Sequence, residues 1–222
     1  MSMSSRTHLP TGSEELGAVG LYFAYGSNMH LKQMAARCPD STLFAKGILR
    51  NYRWQVSSRG GGNVVRGSQE DAVEGLLFSV SPSNVQALRG YEGVEQQFFV
   101  EEILDIQVER FLDKELEGRT PGDVAQILSK DSSESGLTSG QSTRSYKSSE
   151  SKAIDPEGEA ISHKALVYIS YKYQLPGDIR EEYAVRMQLA MADARMLGVS
   201  DNYLETSLLP QVLGKRNHLL AG

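Results

Sequence analysis

The residues best suited by type and spacing to do chemistry are Tyr25-Gly26-Ser27-Asn28, which join an apolar run to a segment with helical spacing. Gly26 lacks a β-carbon, so the backbone can turn sharply there and a ligand can approach closely. The N–H groups at the start of the following helix have no intrahelical acceptor and suit an anion. Ser27 and Asn28 are also good N-caps, so an ordinary capped turn explains the same residues. As a nucleophile Ser27 lacks the Gly-x-Ser-x-Gly elbow, and no histidine is placed to activate it. Glu92, at the end of a helical segment, is on these grounds one acid among several, with Glu95, Glu101 and Glu102 close by. His8, His30, His163, His218 and Cys38 have neither the spacing of metal ligands nor that of a Cys–His pair.

These residues must be positioned by a modest set of elements. Leu21 to Phe23 reads as a strand, and Leu31, Met34, Ala35 and Cys38 mark one helix face. Leu43–Arg50 and Tyr52–Ser57 read as two strands. Arg59 to Asn63 reads as a flexible loop, Val64-Val65 as the start of the next strand, and Ala72–Val80 as another. Gly75 within it suggests a bulge or a close approach of another backbone. Ser81-Pro82 is a helix start, and Gly93 its stop, with Val85, Leu88 and Tyr91 on one face. Phe98–Val108 and Lys164–Tyr171 read as strands. Pro176-Gly177-Asp178 introduces a long helix whose stripe of Tyr183, Met187, Ala190, Met191, Ala194 and Leu197 is core, and Gly198 ends it. Ser200 caps a short last helix. The strands cluster too closely for alternating βαβ units. The order predicts an α+β fold, a small mixed β-barrel flanked by helices.

Residues 1–18 are predicted to be a flexible leader, and 19–222 one domain. Within it lies a Ser-rich insertion at about 113–162, whose centre is too polar to offset its ordering entropy and is expected to be disordered. The chain has 222 residues, 40% of them hydrophobic, and a formal net charge of -5. That balance argues against nucleic acid as the main ligand. No run approaches a membrane span, and no secretory signal stands at the N-terminus. A single cysteine suits a reducing compartment, so a cytoplasmic setting is expected. Whether the chain is a monomer or a homodimer is left open.

The strand ending Tyr25-Gly26-Ser27-Asn28 resembles the signature of the gamma-glutamylcyclotransferase family. Further segments follow in the family's order. Gly61-Gly62-Asn63-Val64-Val65 and Val73-Glu74-Gly75-Leu76-Leu77-Phe78 look like its central hairpin. Ser81-Pro82 through Tyr91-Glu92-Gly93-Val94 looks like its helix ending in Glu-Gly-Val. Ala165-Leu166-Val167-Tyr168 looks like its later strand with an exposed tyrosine, and Gly198 to Tyr203 like its C-terminal segment. The resemblance covers about residues 20–110 and 163–210. It departs from the family at Glu74, often aromatic there, at Phe99, often Tyr, and in the Ser-rich insertion.

The resemblance implies a small β-barrel flanked by helices. It implies conversion of a small-molecule gamma-glutamyl amide into 5-oxoproline and a free amine, without metal or organic cofactor. It makes Glu92 the catalytic acid/base, Tyr25, Gly26, Ser27 and Asn28 the holder of the glutamyl group, and Tyr168 a pocket wall. Two other readings use the same pocket: a non-catalytic binding or docking module, and glutamyl transfer in a biosynthetic pathway. In the cyclisation the substrate's own α-amine attacks its γ-carbonyl, so no protein nucleophile is needed. That amine, with a reference pKa of ~8, must lose a proton, and the departing amine must gain one. One carboxyl with a raised pKa can do both, and Tyr91, Val94 and Phe99 could supply the apolar surroundings.

Overall fold

The computed structural model describes residues 20–109, 111, 114–134 and 161–214. Five strands close a barrel in the order β1 (Gly20–Ala24), β5 (Ala72–Val80), β2 (Thr42–Arg50), β6 (Val100–Glu109) and β7 (Ser162–Ile169). Neighbouring strands are antiparallel except at the closing seam, where β1 runs parallel to β7 with Tyr22 opposite Leu166. Strict alternation along β2 buries Leu43, Ala45 and Leu49 and leaves Phe44, Lys46 and Ile48 on the outer, half-covered face. β3 (Tyr52–Val56) and β4 (Gly62–Arg66) form a separate two-stranded sheet. The expected central hairpin is therefore corrected: β4 pairs with β3, while β5 lies inside the barrel between β1 and β2. The expected loop over 59–63 also ends earlier, because Gly62 already opens β4.

Gly75 is a point of close approach. A β-carbon there would stand 2.4 Å from the Ala24 carbonyl oxygen and 2.9 Å from the Phe23 ring. Backbone cannot yield as a flexible side chain would, so Gly75→Ala is expected to lower stability by about 3 kcal/mol. A urea titration should register this as a lower midpoint at unchanged slope.

The helices pack around the barrel. A 3-10 turn, Ser27–Met29, leads from β1 into α1 (Leu31–Arg37). Neither Ser27 nor Asn28 caps it. The backbone N–H of Leu31 is taken at 2.8 Å by Asp193 from a distant helix, which frees the two polar side chains for other bonds. α2 (Pro82–Glu92) opens on a capping box: the Asn84 N–H donates to Ser81 Oγ at 3.3 Å, and the Ser81 N–H to Asn84 Oδ1 at 3.1 Å. It stops at Gly93 with φ of 65°. Val85 and Leu88 are buried, but Tyr91, expected on the same face, is 56% exposed.

α4 (Glu181–Met196) buries Tyr183, Met187, Ala190, Met191 and Ala194 as its spacing predicts. Ser200 then accepts from the Tyr203 N–H to start the terminal helical turns.

The segment from 113 is partly folded, against expectation. α3 (Pro121–Glu134) packs on α1, with Val124 and Leu128 buried. Ahead of it, the chain is tied to β2 by the Leu43 N–H to the Arg119 carbonyl at 2.8 Å and the Gly118 N–H to the Leu43 carbonyl at 2.7 Å. The expected leader and most of the Ser-rich stretch, 135–160, lie outside the described residues.

Candidate active site

The open end of β1, the C-terminal end of α2, the β3–β4 turn and the first turns of α4 enclose a cavity of about 260 Å³. Tyr25, Gly26, Ser27, Asn28, Glu92 and Tyr168 all line it, so the residues singled out in the sequence converge. Glu92 lines this wall as the last residue of α2, which Gly93 ends.

Asn28 is the structural hub of the site. Its Nδ2 donates to the Tyr22 hydroxyl at 2.7 Å and to Glu92 Oε1 at 3.2 Å. Its Oδ1 accepts from Arg37 Nη1 at 2.7 Å and Gln33 Nε2 at 3.0 Å. Both amide hydrogens and both oxygen lone pairs are thus engaged, which fixes the carboxamide plane and, through it, one oxygen of Glu92. Arg37 also lies 3.9 Å from Glu92 Oε1 and stacks 4.4 Å from the centroid of Tyr91. The exposed Tyr91 ring therefore covers the guanidinium rather than the core.

Burial pushes the Glu92 carboxyl above the ordinary glutamate range, while Arg37, the Asn28 hydrogen bond and Arg186 pull it part of the way back. The other titratable groups are poorly suited to proton transfer. Burial raises the phenols of Tyr22, Tyr25 and Tyr168, with Glu92 or Glu101 adding to the effect. Tyr25 donates its hydroxyl proton to the Tyr168 carbonyl, and Tyr168 donates its own to Glu101 Oε1 at 3.2 Å. Tyr168 is buried, not exposed as the family pattern suggested. Among the described residues no three His, Cys, Asp or Glu side chains converge as metal ligands would.

In sequence, the chain aligns with proteins named gamma-glutamylcyclotransferase from Homo sapiens, 27% identical over 109 residues, and Mus musculus, 29% identical over 113. The alignments take in 45% and 47% of this chain, which spans only 57% and 59% of the length of those curated relatives. No family model matches the chain. Among solved structures, a gamma-glutamyl cyclotransferase superposes with a TM-score of 0.54 over 85% of both chains at 17% identity. The fold is that of the gamma-glutamylcyclotransferases. An uncharacterized Homo sapiens protein matches equally well, with a TM-score of 0.54 over 84% of both chains at 17% identity.

Within this gamma-glutamylcyclotransferase-like fold, Tyr183 is the residue that the sequence concealed. Its place in the apolar stripe of α4 marks it as core, and its ring is buried. Its hydroxyl, however, stands where β-carbons on Gly62 and Gly26 would be, 2.5 and 3.0 Å away. Burial raises its pKa to about 12, and the nearby backbone of Gly62 and Ser27 opposes the rise. One phenol thus ties the glycine turn after β1 to the start of β4. Tyr183→Phe removes the buried hydroxyl that sits between these two backbone segments, at a cost of about 1 kcal/mol. The expected outcome is a lower thermal midpoint together with weaker binding at the turn, read by denaturation and ligand titration.

Ser27 accepts from Gln33 Nε2 at 3.0 Å. An amide N–H cannot take up a proton, so this contact offers the hydroxyl no base. Cys38 is buried, with its thiol pushed up to about 12 chiefly by desolvation, which suits a packing role. Phe99 lines the cavity, so the missing hydroxyl at this position belongs to the site wall. Glu74 does not. It accepts from the Ser200 N–H at 2.8 Å and Oγ at 2.6 Å, and so anchors the terminal helical turns.

Proposed function

We propose that the chain is a gamma-glutamylcyclotransferase that cyclises a gamma-glutamyl amide to 5-oxoproline and releases an amine. The observation that carries this reading is Glu92. It is a carboxyl with a raised pKa, one oxygen pinned by Asn28, on the wall of a cavity that also contains the Tyr25–Asn28 turn.

In the proposed reaction the glutamyl head group rests against that turn. Glu92 takes a proton from the α-ammonium. The freed nitrogen attacks the γ-carbonyl carbon, forming the ring C–N bond and a tetrahedral oxyanion. The amide C–N bond then breaks as Glu92 returns that proton to the departing nitrogen, and the ring nitrogen gives up its second proton, which the released amine takes up to leave as an ammonium. The raised pKa suits a group that must both accept and donate near neutral pH. Holding the flexible glutamyl chain in its curled, near-attack shape can supply up to about 7–11 kcal/mol of the barrier reduction. No protein nucleophile takes part, which accords with a Ser27 whose partner is an amide.

The test is a panel of gamma-glutamyl amino acids, glutathione and gamma-glutamyl amines assayed for 5-oxoproline. Release from at least one supports the reading. Tight binding without turnover across the panel would leave a non-catalytic binding module. Appearance of a new gamma-glutamyl amide would indicate glutamyl transfer. The reaction suits a reducing cytoplasmic setting, in which a lone buried thiol such as Cys38 stays reduced.

A further inference from the structure

Four arginines, Arg37, Arg59, Arg180 and Arg186, line the cavity against one carboxylate, Glu92. Three of the four have evident work. Arg37 serves Asn28 and Glu92. Arg180 pairs with Glu182 at 3.4 Å. Arg186 lies 5.2 Å from the Tyr183 centroid and acts on the charge of Glu92, which places it by the glutamyl end, where a substrate α-carboxylate would sit.

Arg59 is different. Its guanidinium carbon is 3.4 Å from the centroid of Phe98 and 5.8 Å from that of Tyr173. No acid among the described residues is paired with it. A guanidinium stacked at van der Waals distance uses its face on the ring and keeps its N–H donors in the plane. That leaves an edge which fits the two oxygens of a carboxylate. The stack is also preorganised. The Gly60 N–H donates to the Ser57 carbonyl at 2.7 Å, the Ser57 N–H to the Gly61 carbonyl at 2.8 Å, and the Arg180 N–H to the Gly60 carbonyl at 3.1 Å. Phe98 in turn packs against Gly93, the chain neighbour of Glu92, where a β-carbon would stand 2.5 Å from its ring.

We infer that Arg59, held on Phe98 in the cavity that Glu92 also lines, is a specificity-determining residue that binds a carboxylate on the leaving amine. The inference rests on the cyclotransferase reading. The preferred substrates are then gamma-glutamyl amino acids or peptides whose carboxylate lies near the scissile amide, in preference to gamma-glutamyl conjugates of uncharged amines.

The experiment compares kcat/KM for gamma-glutamyl-alanine with that for gamma-glutamyl-ethylamide, which lacks only the carboxylate. Wild type should favour the first by about ten- to hundredfold, the range expected of a charge-assisted contact. Arg59→Gln should bring the ratio close to one, and Arg59→Lys should retain part of it. A wild-type ratio near one, or an Arg59→Gln ratio equal to that of wild type, overturns the assignment while leaving the cyclotransferase reading intact. No 5-oxoproline from either substrate, or from the wider panel, overturns the reading beneath it.

Discussion

Replacing Glu92 with glutamine should reduce 5-oxoproline formation by at least a hundredfold while the protein still binds its gamma-glutamyl ligand. The amide matches the carboxyl in shape and keeps an oxygen to accept from Asn28 Nδ2, so the site geometry is preserved. What it loses is the ability to carry a proton, and general acid–base catalysis typically contributes 10²–10⁴-fold. The wild-type pH profile provides a second reading. Glu92 must be ionised to accept the α-ammonium proton, so kcat/KM should fall on the acid side, with a midpoint above the ordinary glutamate range. Stability should respond in the opposite sense. A carboxyl whose folded pKa is raised adds stability at low pH, and that contribution is lost as pH rises through the folded value. Above that value the ionised carboxylate is therefore a burden. Glu92→Gln should melt no lower than wild type, and the difference between the two should narrow as the solution is acidified. A variant that is inactive and also unfolds early would indicate a structural role instead.

Asn28→Ala should be the more damaging change, because it affects stability and chemistry together. The substitution strips a partner from the Tyr22 hydroxyl, Glu92 Oε1, Arg37 and Gln33 at once. Leaving a buried polar group unsatisfied costs about 1–3 kcal/mol, more for a charged one. Arg37 and Glu92 can close part of the gap by pairing directly, since they are already 3.9 Å apart. A net loss of about 3 kcal/mol in chemical denaturation is expected. Catalysis should fall at least a hundredfold, since Glu92 would lose both its orientation and a hydrogen bond that favours its ionised form. Its pKa should then rise further, unless the closer Arg37 offsets the change. Asn28→Asp offers a contrast. It keeps the acceptor for Arg37 and places a second acid against Glu92, which should move the acid limb of the pH profile to higher pH.

Much of this architecture is written in local signals. Ser81-Pro82 with Asn84 three residues after Ser81, the left-handed glycine at 93 and the apolar stripe of α4 each act through neighbours a few residues away, and each is legible. The start of α3 carries the same kind of signal. Thr120 Oγ1 donates to Asp123 Oδ2 at 2.8 Å and accepts from the Asp123 N–H at 3.2 Å, with Pro121 at the first helical position. Those residues could have been read as a helix start, but the Ser-rich composition that follows masked them. Strand pairing is a different matter. β4 pairs with β3 across the short loop 57–61, whereas β5 is set between β1 and β2 by barrel closure, which no stretch of a few residues encodes.

The site divides along the same line. The glycine turn at Tyr25–Asn28 announces itself, whereas Glu92 stood out from its neighbouring acids only through the family resemblance. What sets it apart physically is burial against Asn28 and Arg37, from elements more than fifty residues away in the chain. Tyr183 and Arg59 were hidden for opposite reasons. The first has the spacing of a core residue and uses only its hydroxyl at the site. The second sits in a glycine-rich loop that reads as flexible, yet is fixed by hydrogen bonds to the segment before α4.

The most direct test of intramolecular attack is product analysis in water enriched in oxygen-18, with gamma-glutamyl-alanine as substrate. Cyclisation makes no bond to water. Intramolecular attack therefore yields 5-oxoproline and alanine in equal amounts, with no label in the 5-oxoproline, and a rate that collapses in Glu92→Gln. Labelled glutamate in place of 5-oxoproline would mean that water, and not the substrate's own amine, attacks the γ-carbonyl, and would contradict it.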